Sequence, residues 1–192
     1  MLAGEYTAPK AGDTIVDVCG APGGKSINAA LKMSEQGDCG RVIARDLSDY
    51  KVALIDENIK RLNITNIQTQ VYDALDCDES LINKADIVIA DLPCSGLGII
   101  GRKPDIKYNA SPEKLQSLVD LQRDILKVVS RYVKSGGVLM YSTCTINRAE
   151  NEDNADWICK ESGFTKDGEY HQLLPANNSG MDGFFVARLI KN

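Results

Sequence analysis

Short runs of β-branched residues alternate with helical patterns along this chain, and that alternation narrows its possible folds more than any other feature. Strands are expected at Thr14–Cys19, Arg41–Asp46, Ile67–Tyr72, Ala85–Asp91 and Gly137–Ser142, with a last pair near Phe164–Lys166 and Phe184–Ile190. Helical patterns lie between them at Lys25–Glu35, Ser48–Leu62, Pro112–Lys134 and Ala149–Glu161. The third places Leu115, Leu118, Val119, Leu121, Ile125, Leu126, Val128 and Val129 at a helical period. The "KSGG" of Lys134–Gly137 reads as its glycine stop. Such alternation builds βαβ units, and hence an α/β fold with a parallel sheet covered by helices on both faces. The segment Ala85–Asp91, "ADIVIAD", is apolar along its length and acidic at its end. That suits a strand buried on both sides whose carboxyl end emerges into a ligand crevice. About seven strands are expected, mainly parallel, the last antiparallel. Asp167–Gly180 reads as a loop, and Met1–Gly12 lacks strong periodicity.

Composition bounds the rest. A chain of 192 residues suits a single domain, 1–192, with a sizeable core. It has no apolar run near the roughly 20 residues that span a bilayer, and no basic-then-apolar leader. No membrane association and a cytoplasmic location are therefore expected. The six cysteines are scattered with no C-x-x-C pair, which argues against both a zinc cluster and a disulfide scaffold. The single histidine, His171, has no partner for a metal, so no metal is expected. A net charge of −5 lacks the basic footprint usual for nucleic-acid binding.

The stretch Val16–Ser26, "VDVCGAPGGKS", nearly spells a phosphate-cradling P-loop. It departs where Cys19 replaces the first glycine, and Pro22 deletes one amide that would hold phosphate. Acidic residues end three successive strands: Asp46, Asp73 (one residue beyond) and Asp91. Asp46 follows Gly24 by 22 residues, near the spacing at which an acid meets a ribose hydroxyl. Three acids in register with a glycine turn point to a nucleoside site. The turn "GAPGGK" lacks the G-x-G-x-x-G pattern of dinucleotide sites, so S-adenosylmethionine, which has a ribose but no phosphate, is the favoured ligand. An NTP-binding protein stays the alternative, because "ADIVIAD" also imitates a strand ending in a magnesium-binding Asp.

Two further segments, Asp91–Gly98 ("DLPCSGLG") and Tyr141–Thr145 ("YSTCT"), place Cys94 and Cys144 just beyond expected core strands. If those strands are neighbours, both thiols face one crevice. Carbon 5 of cytosine is a poor nucleophile until something adds to carbon 6. A thiolate does that well.

The ordered motifs "DVCGAPGGK", "DLPCSGLG" and "YSTCT", joined by "RKPDIK" (Arg102–Lys107) and "GMDGFFVARL" (Gly180–Leu189), resemble the RNA cytosine-C5 methyltransferases of the Sun (Fmu) family. The resemblance covers essentially the whole chain. It implies a Rossmann-like class I S-adenosylmethionine-dependent methyltransferase fold, with small-subunit (16S) ribosomal RNA as the substrate; separately from it, a monomer is expected. By this resemblance Cys144 is the nucleophile toward cytosine carbon 6, and Cys94 assists adduct breakdown and release. Cys19, Gly20, Ala21, Pro22, Gly23, Gly24 and Lys25 form the loop around the cofactor. Asp46 is implied at the ribose, Asp73 near the adenine and Asp91 at the junction of cofactor and cytosine, with Asp17 supporting the loop. Arg102, Lys103 and Lys107 are implied as RNA contacts, and the target base must leave its stack to reach Cys144. Gly20 stands where alanine is usual, and Gly101 where a basic residue is common. No counterpart of an N-terminal RNA-binding region is expected within these residues, which accords with their acidic charge.

Overall fold

The structure, a computed structural model, describes residues 2–37, 40–175 and 181–192. Eight strands form one sheet: β1 (Thr14–Asp17), β2 (Arg41–Asp46), β3 (Ile67–Val71), β4 (Ala85–Asp91), β5 (Val133–Thr143), β6 (Phe164–Lys166), β7 (His171–Leu173) and β8 (Phe184–Lys191). Their order is β3-β2-β1-β4-β5-β8-β6, with β7 also paired to β8. The first five run parallel, and β8 inserts antiparallel beside β5. The helices are α1 (Leu2–Thr7), α2 (Gly24–Glu35), α3 (Asp49–Arg61), the short α4 (Ile106–Asn109), α5 (Pro112–Val129) and α6 (Glu152–Ser162).

Successive residues of β4 enter opposite cores, as a strand period of two demands. Ile87 and Ile89 join Ile15, Val42, Met140 and the α2 residues Ala29, Ala30 and Met33. Val88 and Ala90 join Val16, Leu139, Tyr141, Ile125, Leu126 and Val129 of α5, and Ala155 and Ile158 of α6. Each such aliphatic side chain contributes roughly 1.5–3 kcal/mol by leaving water. Local signals set the helix starts. Ser48 accepts from the Lys51 amide at 3.4 Å, and Ser111 accepts from the Lys114 amide at 3.3 Å, with Pro112 opening α5.

Several expectations change. The helix expected to reach Lys134 stops at Val129, and the strand expected at Gly137 starts at Val133. Tyr132 and Val133 continue the helical spacing, but they are buried at the sheet instead. "KSGG" lies inside β5, where the pairing with β4 shifts register between Ala85 and Ile87. Gly136 adopts φ +73 there, and a Cβ on Gly137 would stand 2.9 Å from the Asp86 carbonyl oxygen. The glycines therefore serve a bulge, not a helix stop. The expected loop Asp167–Gly180 contains β7, which continues β6 along the same edge of β8, although its residues 176–180 lie outside the described ones. The aperiodic start carries α1, against which Arg188 donates to the Tyr6 and Thr7 carbonyls. A single 3-10 turn, Arg148–Glu150, precedes α6 where one helix was expected. Smaller differences shorten β1 by two residues and β3 by one.

Candidate active site

Strand order reverses between β1 and β4, so the loops leaving their carboxyl ends diverge and open a crevice. The loop after β1 is clipped to the end of β2. The Gly20 amide donates to the Arg45 carbonyl at 2.7 Å, and the Ala21 amide donates to Asp46 Oδ2 at 3.0 Å. Gly23, at φ +103, donates back to the Gly20 carbonyl at 2.6 Å. Only glycine takes that backbone without strain, and a Cβ there would also press on Ile55 at 3.2 Å. From the first turn of α2, Lys25 reaches across the crevice to form an ion pair with Asp91 at the end of β4. Its ammonium lies 5.7 Å from the Phe184 ring centroid. Lys25 is thus committed to a carboxylate of its own chain, which weighs against a phosphate-holding lysine.

The crevice encloses about 360 Å³, and Asp46, Asp73 and Asp91 all line it. Asp46 is buried; besides Ala21, its carboxylate accepts from the Leu47 amide at 2.8 Å and from Lys51 Nζ at 3.0 Å. Asp73 accepts from the Leu75 amide at 2.9 Å, as the opening of a turn. Leu47, Ala74, Leu75, Leu121 and Ile125 supply apolar wall. A second cavity of about 240 Å³ lies under the glycine loop, lined by Asp17, Cys19, Gly20, Ala21, Pro22, Gly24, Lys25 and Asp91. Asp17 is fully buried, and burial pushes its carboxyl up to about 6. Ser26 donates to its Oδ2 at 2.6 Å, while Oδ1 has no hydrogen-bond partner among the described residues. Burial and the neighbouring carboxylates push the Cys19 thiol up to about 12, which leaves it inert as a nucleophile.

The two other thiols stand on adjacent loops beyond β4 and β5. Cys94 Sγ and Cys144 Sγ are 3.2 Å apart. The hydrogen bond from Cys94 lowers the Cys144 thiol, against the opposing effects of burial and Asp91. Cys94 is raised, first by that same bond and then by burial. The opposite directions of the two shifts make Cys144 the more acidic thiol of the pair. Asp91 joins this region to the crevice, because its Oδ1 accepts from the Ser142 hydroxyl at 2.7 Å.

Three chain segments cross beside Cys144. The Gly98 amide donates to the Cys144 carbonyl at 3.1 Å, and the Gly183 amide donates to the Gly98 carbonyl at 2.7 Å. A Cβ on Gly98 would stand 2.6 Å from the Gly183 oxygen and 2.8 Å from the Cys144 oxygen. The glycines of "DLPCSGLG" and "GMDGFF" are there because backbone passes over backbone. The first residue of the latter stretch, Gly180, lies outside the described residues.

Of the basic residues expected to meet RNA, Arg102 pairs with Asp182 at 3.0 Å, Lys103 is exposed, and Lys107 lies over the Tyr108 ring at 4.7 Å. Around Gly101 the space is open, with nothing within 4 Å of a built Cβ. Sequence reasoning missed the buried polar residues Gln122, Glu150 and Asn151 behind the thiols. One signal was available: Gln122 sits on the apolar stripe of α5, between Val119 and Ile125.

Among the described residues no helix is long and apolar enough to cross a membrane. Residues 5–190 match the family described as 16S rRNA methyltransferase RsmB/F. The probable ribosomal RNA small subunit methyltransferase B of Bacillus subtilis is 37% identical, with 100% of this chain and 46% of that protein covered. Ribosomal RNA small subunit methyltransferase F of Escherichia coli O157:H7 is 32% identical, with 99% and 42% covered. The chain thus spans less than half the length of these curated relatives. The crystal structure of PH0851 superposes with a TM-score of 0.90 at 32% identity, over 99% of this chain and 45% of that one. NSun6 from Pyrococcus horikoshii, solved with SFG, superposes with a TM-score of 0.85 at 28% identity, over 99% and 50%. The fold is the Rossmann-like methyltransferase fold, and the chain belongs to the 16S rRNA methyltransferase RsmB/F family.

Proposed function

We propose that residues 1–192 form a catalytic domain that methylates carbon 5 of a cytosine in small-subunit ribosomal RNA through a covalent cysteine adduct. The observation that carries this reading is the polarised thiol pair, Cys144 and Cys94 at 3.2 Å, beside an acid-lined crevice. Family membership and the names of the relatives support the ribosomal substrate.

The crevice suits S-adenosylmethionine. Asp46 and Asp73 would hold the ribose and adenine edges, and Leu47 and Leu75 the apolar base. In the cavity under the loop, the unpartnered Asp17 oxygen suits the ammonium at the amino-acid end. The cofactor supplies a methyl group for carbon 5 when bound. Cys144 adds its thiolate to carbon 6, forming the C–S bond that makes carbon 5 nucleophilic. A base then takes the carbon 5 proton, the freed C–H pair restores the double bond between carbons 5 and 6, and the C–S bond breaks with its electron pair returning to Cys144. Cys94 stabilises the departing thiolate with the same S–H bond it offers before attack. Asp91, held between Lys25 and Ser142, stands where the cofactor crevice meets the cytosine. Arg102, Lys103 and Lys107 would take RNA phosphates.

The test uses small-subunit ribosomal RNA transcribed in vitro. Cys144→Ala is expected to lose adduct formation and to slow methylation by on the order of a thousandfold or more. Cys94→Ala is expected to accumulate covalent protein–RNA adduct. Methylation at the wild-type rate by Cys144→Ala would sink the nucleophile assignment.

A further inference from the structure

Behind the thiols lies a block of fully buried polar side chains: Gln122 on α5, Glu150 and Asn151 just before α6, and Asn154 within it. Each reactive cysteine is gripped through its chain neighbours on both sides by this block. On the Cys94 loop, Gln122 Nε2 donates to the Pro93 carbonyl at 2.8 Å, and the Ser95 amide donates to Glu150 Oε2 at 2.8 Å. On the Cys144 loop, the Thr143 hydroxyl donates to Asn151 Oδ1 at 2.5 Å, and Asn151 Nδ2 donates to the Thr145 carbonyl at 3.1 Å. Gln122 Nε2 also donates to Glu150 Oε2 at 3.0 Å, and Asn154 orients Gln122 by donating to its Oε1 at 2.8 Å. The Ser95 and Thr145 hydroxyls also join the two loops, at 2.7 Å.

We infer that Gln122, Glu150 and Asn151 are positioning residues that set the separation of the Cys94 and Cys144 sulfurs. This rests on the proposed thiol chemistry. A purely structural block would need only satisfied donors, whereas here the satisfied groups are those flanking the two thiols. Glu150 is the keystone, since both its oxygens accept: Oε2 from Ser95 and Gln122, and Oε1 from Asn147 Nδ2 at 2.9 Å. Glutamine at 150 keeps the volume, but its amide nitrogen must face a donor on either side. Asn147 cannot simply turn over to relieve this, because its Oδ1 accepts from the Ala149 amide at 3.2 Å. An unsatisfied buried donor costs about 1–3 kcal/mol, and retreat of the Cys94 loop is the available relief.

The test reads the sulfur pair without RNA. Cys144 alkylation by iodoacetamide is followed by peptide mass from about pH 6 to about pH 10, bracketing the ordinary thiol range. The groups that act on Cys144 are Cys94 and Lys25, which lower it, and Asp91, which raises it. In the wild-type chain the midpoint lies below that of Cys94→Ala. Glu150→Gln is expected to raise it toward the Cys94→Ala value, by about one pH unit. A Glu150→Gln protein that melts at lower temperature but keeps the wild-type midpoint overturns the positioning role. If Glu150→Gln does not fold, Ser95→Ala, which removes the hydroxyl contact between the loops, is expected to raise the midpoint by a smaller amount. An unchanged midpoint there overturns the inference equally. A wild-type midpoint equal to that of Cys94→Ala overturns the thiol pair itself, and with it the proposed function.

Discussion

The two halves of the site are built on opposite plans. On the side of β1, β2 and β3, strand-end carboxylates stand in an open crevice, and backbone amides hold them one at a time. On the side of β4, β5 and β8, the thiols sit on loops locked by neutral donors and by glycine backbones in direct contact. The first plan lets a charged small molecule enter and leave by exchanging a few exposed contacts such as Lys51–Asp46. The second keeps two sulfurs in register without any ligand, so their alignment is part of folding and not of binding. Asp91 belongs to both, through Lys25 on one oxygen and Ser142 on the other, and the two cysteines line the same crevice as the acids.

The harshest way to break this contrast is to add one methyl group to the locked side. Gly98→Ala should lower stability to urea by about 3 kcal/mol, because backbone oxygens from two other segments must move. Gly101→Ala, with open space around it, should stay within about 0.5 kcal/mol of the parent. Equal losses in the two would remove the case for a crowded glycine crossing. A pH series sharpens the open side. Asp17 is raised to about 6 in the folded chain, against roughly 3.9 when unfolded, so the folded state holds its proton more tightly between those values. Stability should therefore be greatest below about pH 4 as far as Asp17 is concerned, and fall by roughly 3 kcal/mol as pH rises through about 6. Asp17→Asn should flatten that part of the profile, and an unchanged slope would assign it to other groups. The smallest effect is expected from Asp46→Asn, which should weaken S-adenosylmethionine binding about tenfold in calorimetry, or ~1.4 kcal/mol. It should leave the Cys144 alkylation midpoint where it was; a shift there would mean that the halves are not separate.

The open plan is legible in the sequence and the locked plan is not. Parallel strands buried on both faces must be apolar runs, so Ala85–Asp91 and its acidic end show both the strand and the crevice. Cys94 and Cys144 are legible as neighbours because each directly follows such a strand. The glycines of "KSGG" mislead because a helix stop and a β-bulge use the same residue for the same left-handed backbone. The grip of Glu150 on Ser95 joins residues 55 apart, and that of Lys25 on Asp91 joins residues 66 apart. No local period reports such contacts. Polar residues in "RAENEDN" read as an exposed helix start until the fold packs them against α5.

The crossing of Gly183 over Gly98 also gives the site a history. All the acids of the crevice lie within the first 91 residues, whereas the sheet that carries them is completed by β5 and covered on one face by α5 and α6. The loops bearing the sulfurs gain their last backbone contact only when residues 183–191 arrive and slide in beside β5. During synthesis the acids thus precede both the apolar wall of their own crevice and the last contact of the sulfur loops. Any cut before Gly183 would remove both the backbone contact over Gly98 and the strand that pairs with β5.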